Sequence, residues 1–145
     1  MQSKPALQDA RVHVRTKIAA LWVSATLCYL YGDIIGLYKP GAIQSMLDGN
    51  MGFWGPLPQS QGVLLFIAVA MTPSCVLVAL TFLLGPRPCR WLNVVFGVLY
   101  TALVLIIIPT AFDLYFFEFL SIVEVVLTSA IVWYALTWPK EPAHE

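Results

Sequence analysis

A chain of 145 residues that is 59% apolar and 11% charged is too greasy for an ordinary soluble domain, so lipid is the expected solvent for most of it. Its formal net charge is zero, which leaves no acidic or basic excess to attract nucleic acid or an oppositely charged protein. The sequence also lacks a Gly-rich phosphate loop, a nucleophile elbow and a His-Glu-x-x-His metal motif, so the common signatures of nucleotide, acyl-transfer and zinc chemistry are excluded.

In chain order, residues 1–17 form a charged tail, too charged for a secretory leader, and no small-residue cleavage pattern follows the first apolar run, so that run is expected to be retained. A membrane crossing needs about 20 mostly apolar residues. Four segments meet that length: 18–38, 62–84, 92–112 and 114–137, with a short tail at 138–145. The expected fold is all-α: a single membrane domain, 1–145, built as a four-helix bundle. Lys39-Pro40-Gly41, the Gly-Pro-Arg-Pro run at 85–88, Asp113 and Trp138-Pro139 punctuate the spans.

Lys4, Arg11, Arg15, Lys17, Arg87, Arg90 and Lys140 fall on one side of the spans and Lys39 alone on the other. That asymmetry predicts both termini in the cytoplasm. Trp91, Trp133 and Trp138 then mark the inner interface, and Tyr38, Phe53, Trp54, Tyr115 and Phe116 the outer one.

The outer connection, 39–61, is the longest loop. Ala42, Ile43, Met46 and Leu47 have helical spacing and predict a short interfacial helix, followed by the turn-rich Gly49-Asn50-Met51-Gly52-Phe53-Trp54-Gly55. Two arrangements are open: a cover across the mouth of the bundle, or a loop resting on the lipid surface through Phe53 and Trp54.

Cys28 and Cys75 fall within the first two spans and Cys89 in the inner loop, with no Cys-x-x-Cys for a thiol oxidoreductase, so all three read as buried apolar filler. His13 and His144 lie in the tails, outside the spans, which argues against a haem or imidazole metal site. No cofactor is expected. The order Lys17-Ile18-Ala19-Ala20-Leu21-Trp22, Tyr31-Gly32-Asp33, Leu37-Tyr38-Lys39-Pro40-Gly41, Gly55-Pro56, Gln61-Gly62-Val63-Leu64, Arg90-Trp91-Leu92-Asn93 and Glu124 resembles a family of small uncharacterised bacterial four-helix integral membrane proteins. The resemblance runs from about Val14 to Pro139. It implies the bacterial inner membrane and brings no activity with it.

Asp33, Asp113, Glu118 and Glu124 lie inside or at the edge of spans that contain no Lys, Arg or His. At a rise of about 1.5 Å per residue, Asp33 sits roughly 8 Å below the outer edge of the core and Glu124 about 15 Å deep. A carboxylate at mid-bilayer costs a few kcal/mol on insertion scales, so Glu124 should face the bundle interior, be protonated or bind something positive. Ser121 at i−3 and Thr128 at i+4 offer it hydroxyls, while Glu118 lies about 120° around the helix. On the first helix, Tyr29 is one turn before Asp33 with Thr26 further in, and Gly32 and Gly36 form a small-xxx-small pair suited to a close helix contact, within the chain or in a homo-oligomer.

Pro73 and Pro109 interrupt the second and third spans. Thr72, Ser74 and Thr110 are placed to satisfy the freed carbonyls. The functional expectation is that the bends open the outer half into a cavity lined by Asp33, Glu118, Glu124, Ser121 and Tyr29, with Tyr100 as a further polar wall. Such a cavity suits binding or transport of a small cationic or protonated solute. The alternatives are an acid/base isomerase or cyclase acting on a lipophilic substrate, and an accessory membrane subunit. Membrane lipid is the surrounding partner in every case.

Overall fold

A computed structural model describes residues 12–55, 57–110 and 114–139, the side chain of Thr110 excepted. Asp113, His144 and the tail charges Lys4, Arg11 and Lys140 lie outside the described residues. The secondary structure among them is helical apart from one isolated backbone bridge: α1 Val14–Gly36, α2 Ala42–Leu47, α3 Gln61–Leu83, α4 Pro86–Ile107 and α5 Tyr115–Leu136, with single 3-10 turns at Gly52–Trp54 and Ile108–Thr110. The four long helices have mean hydropathies of 1.6, 2.6, 1.9 and 2.0 in chain order, and each is long and apolar enough to cross a membrane.

Three boundaries differ from the sequence expectation, each for a local reason. α1 begins at Val14 rather than 18, because the cationic side chains in its first turn find partners. The His13 ring accepts from Arg15 N at 3.3 Å, and the Arg15 guanidinium donates to the carbonyls of Thr81, Phe82 and Leu84 at 3.0, 3.3 and 2.7 Å. α4 begins at Pro86 rather than 92. Prolines in a first helical turn lose nothing, since the N–H they lack has no intrahelical partner there, so Pro86 and Pro88 start the helix instead of breaking it. That places Cys89, 1% exposed, inside α4 rather than in a loop. Cys75, in contrast, is exposed, so the filler reading fails for it. α4 ends at Ile107, because Pro109 converts the helix into a 3-10 turn rather than merely bending it.

The helices are arranged α3–α1–α5–α4, with α1 against both α3 and α5, and α4 packed closely along α5; α3 and α4 touch only sparsely. At the end where α1 and α4 begin, the basic residues close helix C-termini. Arg15 covers the last turn of α3, and the Arg90 Nη2 donates to Leu136 O at 3.1 Å at the end of α5. Each supplies donors to carbonyls that a helix end leaves unpaired.

The lower half of the core is fully buried. Trp22, Ile18, Ile131 and Ala135 are each 0% exposed and Leu77 is 2% exposed. Buried within this layer, the Trp22 Nε1–H donates to Asn93 Oδ1 at 2.7 Å, and Asn93 Nδ2 donates to Cys89 O at 2.8 Å. Thr81 Oγ1 returns to Leu77 O at 2.7 Å. Gly97 lets α4 close on α5, since a Cβ there would lie 2.6 Å from Val132 Cγ2 and 3.4 Å from Thr128 O. The outer faces carry the exposed apolar side chains, Phe66 at 71% and Ile106 at 73% among them. A bundle meant for lipid exposes such residues without penalty.

Candidate functional site

Above the Trp22–Asn93 layer the helices part around a cavity of about 590 Å³. All four long helices and the α1–α3 loop contribute walls. On α1 the wall residues include Tyr29, Gly32 and Asp33; on α5 they are Phe117, Leu120 and Glu124, spaced three and four apart and hence on one helix face. Tyr100 and Val104 face it from α4, Ala70 and Met71 from α3.

Glu124 is the buried acid of this cavity, 7% exposed. Among the described residues no hydrogen-bond donor and no cationic side chain reaches its carboxylate, and no Lys, Arg or His stands in the wall. Asp33 is exposed at the rim, near enough for its charge to interact with that of Glu124. Trp54 comes close enough to interact with the Asp33 carboxylate.

Two of the sequence-selected neighbours behave differently from expectation. Thr128 does not reach the Glu124 carboxylate; its hydroxyl lies 2.7 Å across the helix interface from Thr101 Oγ1 and is placed to donate back to Glu124 O at 2.8 Å. Threonine in a helix commonly satisfies itself on the preceding turn, and that local bond wins here. The Tyr29 phenol does not bond Asp33 either. Its oxygen is buried and unpartnered, as is Thr26 Oγ1, while the Tyr29 ring stacks on Tyr100 at 5.8 Å between centroids. Glu118 is half-buried and Ser121 is 2% exposed, but neither belongs to the wall. Of the five selected residues, the fold therefore brings Asp33, Glu124 and Tyr29 together at the cavity and leaves Glu118 and Ser121 outside it.

Tyr100 closes the cavity from below. Its ring meets Trp22 edge-on at 5.6 Å, and its hydroxyl donates to Ala70 O at 2.5 Å, in the turn before Pro73. Thr72 Oγ1 and Ser74 Oγ satisfy Ala68 O at 2.7 Å and Met71 O at 2.8 Å in the same stretch. The Thr72 and Ser74 hydroxyls and one phenol from α4 thus bond backbone carbonyls in the turn that precedes Pro73, though none of them reaches Val69 O, the carbonyl that the missing Pro73 N–H leaves free.

The loop lies across the top. α2 forms where the apolar spacing placed it, and the following turn is pinned by Met51 N to Leu57 O and Gln59 N to Gly49 O, both 2.8 Å. Gly52 and Gly55, with φ of 65° and 89°, turn the chain so that Phe53 and Trp54 project together. Phe53 lies over Gly36, where any Cβ would strike its ring. Trp54 meets Phe117 edge-on at 5.7 Å. Of the two loop arrangements the covering one is adopted, and Gly36 is taken up by the cover. Gly32 faces Leu120, whose Cδ1 would lie 3.7 Å from a Cβ at that position, so both glycines of the pair pack within the chain.

Sequence reasoning missed Phe117 and the Trp22–Asn93 floor, and left open whether Phe53 faces the cavity or the lipid. Phe117 stands seven residues before Glu124, and Asn93 is a lone amide in an apolar helix; both signals were present. A model of a family of unknown function (DUF6326) matches residues 8–144. No curated protein and no solved structure matches the chain.

Proposed function

The chain belongs to this family of unknown function, so its role has to come from its own cavity, and we propose that it is a membrane-embedded binding protein for a small, largely apolar solute carrying one cationic group. A single observation carries the reading. Glu124 is 7% exposed, unpaired, and aimed into an apolar and aromatic cavity that it shares with Asp33. An isolated buried carboxylate is costly unless something positive accompanies it. A cationic group placed there gains Coulomb attraction from the acids and cation–π attraction from Tyr29 and Tyr100, of about 0.5–2 kcal/mol per desolvated ring. The apolar remainder of the solute fills the wall of Leu, Met and Phe side chains, as in ordinary small-molecule sites.

The floor defines what the site does. Trp22 and Asn93, 0% and 1% exposed, form a buried layer beneath it. Binding is the role we assign to this conformation, and transport would require that layer to part. With the basic end in the cytoplasm of a bacterial inner membrane, the cavity faces outward. Calorimetric titration of the purified protein with benzyltrimethylammonium, and with its uncharged carbon isostere neopentylbenzene, tests the reading. Binding of the cation and weak or no binding of the isostere is the expected result, and equal binding of the two contradicts it.

A further inference from the structure

The cavity shares one side with a second depression. Below it, on the same seam between α3 and α4, lies an apolar groove of about 340 Å³ formed by Val69, Thr72, Val76, Leu80, Leu92 and Phe96 among others. Its one hydroxyl, on Thr72, is already bonded to Ala68 O. Groove and cavity interleave along the helices: Val69 and Thr72 line the groove while Ala70 and Met71 line the cavity, and Phe96 is one turn from Tyr100. Above Asn93, Tyr100 bridges the seam through its hydrogen bond to Ala70 O.

This seam is also the weak side of the bundle. α3 and α4 pack sparsely, whereas the other neighbouring long helices pack extensively, and α3 is the most apolar and least buried of the four. Phe66 and Leu103 line the cavity and are nevertheless 71% and 38% exposed, so they form its boundary with the surrounding lipid. From Val69 to Leu80 the groove follows α3 for about 16 Å at the helical rise, the reach of a medium aliphatic chain.

Building on the cation-binding reading, we propose that the ligand is a membrane-dissolved cationic amphiphile with a single aliphatic chain, its ammonium held by Glu124 and Asp33 and its chain laid in the α3–α4 groove. The occupant follows from two features together: the unpaired Glu124 carboxylate with Asp33 at the rim, which call for a positive head group, and an apolar groove beside them on the α3–α4 seam, open to the lipid. A doubly charged or fully water-solvated solute has no use for that groove. Tyr100 stands where head group and chain meet, and its bond to Ala70 is the contact the chain must pass.

The test uses a long-chain alkylamine carrying a photoreactive diazirine at the end of its chain, added to the full-length protein in nanodiscs of zwitterionic lipid. After irradiation, labelled residues are mapped by peptide mass spectrometry. The expected result is labelling in the groove at Val76, Leu80 and Leu92 that falls about tenfold in Glu124→Gln and in Asp33→Asn, although neither residue touches the groove. Val76→Trp, a lipid-facing change, should abolish groove labelling while leaving benzyltrimethylammonium binding intact. Groove labelling indifferent to both carboxylate substitutions is what bulk lipid would give, and it overturns the inference while the cation site stands. If benzyltrimethylammonium itself does not bind, the cation site falls and this inference with it.

Discussion

The Trp22–Asn93 bond separates the cavity from the lower end of the bundle, and its energetic weight can be worked from its surroundings. Asn93→Ala removes the acceptor 2.7 Å from a Trp22 Nε1–H that is 0% exposed. A buried donor left unpaired costs about 1–3 kcal/mol, and truncating the amide also releases Cys89 O from its 2.8 Å partner. Interhelical hydrogen bonds in membrane proteins average about 0.6 kcal/mol by double-mutant cycle, with a maximum near 1.7. A short, dry pair belongs at the upper end of that range. The expected coupling between Trp22→Phe and Asn93→Ala is therefore about 1–1.7 kcal/mol. Reversible unfolding in mixed detergent–SDS micelles measures it. A coupling below about 0.3 kcal/mol would refute the reasoning, because the two side chains would then be independent.

Two glycine series separate close packing from helix propensity. Gly97→Ala places a Cβ 2.6 Å from Val132 Cγ2 and should destabilise the bundle on balance, overpacking of about 1–3 kcal/mol outweighing a propensity gain of about 1. Gly62→Ala, whose Cβ would lie 3.9 Å from Ser60 Oγ, should stabilise by about 0.5–1 kcal/mol in the same unfolding assay. Gly36→Leu drives the Phe53 ring off α1, so acrylamide quenching of Trp54 should rise and the cation should dissociate about tenfold faster, read by stopped-flow displacement.

The four spans were legible because runs of about 20 apolar residues have few other uses. Their ends were less so, since a proline reads as a breaker whether it starts a helix, as Pro86 does, or ends one, as Pro109 does. The acids of the cavity were legible for a similar reason: a carboxylate in an apolar span has few permitted environments, and Glu124 and Asp33 occupy one of them together. Which hydroxyls would serve them was not legible. Helical spacing put Ser121 and Thr128 near Glu124, but it does not say that Thr128 prefers its own backbone and Thr101. The sequence offered the covering loop as one of two arrangements but could not choose it, because Phe53 over Gly36 joins residues from two elements whose packing no local pattern encodes.

The most direct test of the account is the affinity of benzyltrimethylammonium for the purified protein and for Glu124→Gln and Asp33→Asn. Coulomb attraction between the quaternary ammonium and a buried carboxylate, about 2–3 kcal/mol at ~6–8 Å and an effective dielectric of about 20, predicts a loss of roughly 10- to 100-fold for Glu124→Gln, with a smaller loss for the more exposed Asp33→Asn. Unchanged affinity in the Glu124→Gln protein, with its fold intact by unfolding titration, would contradict the central claim.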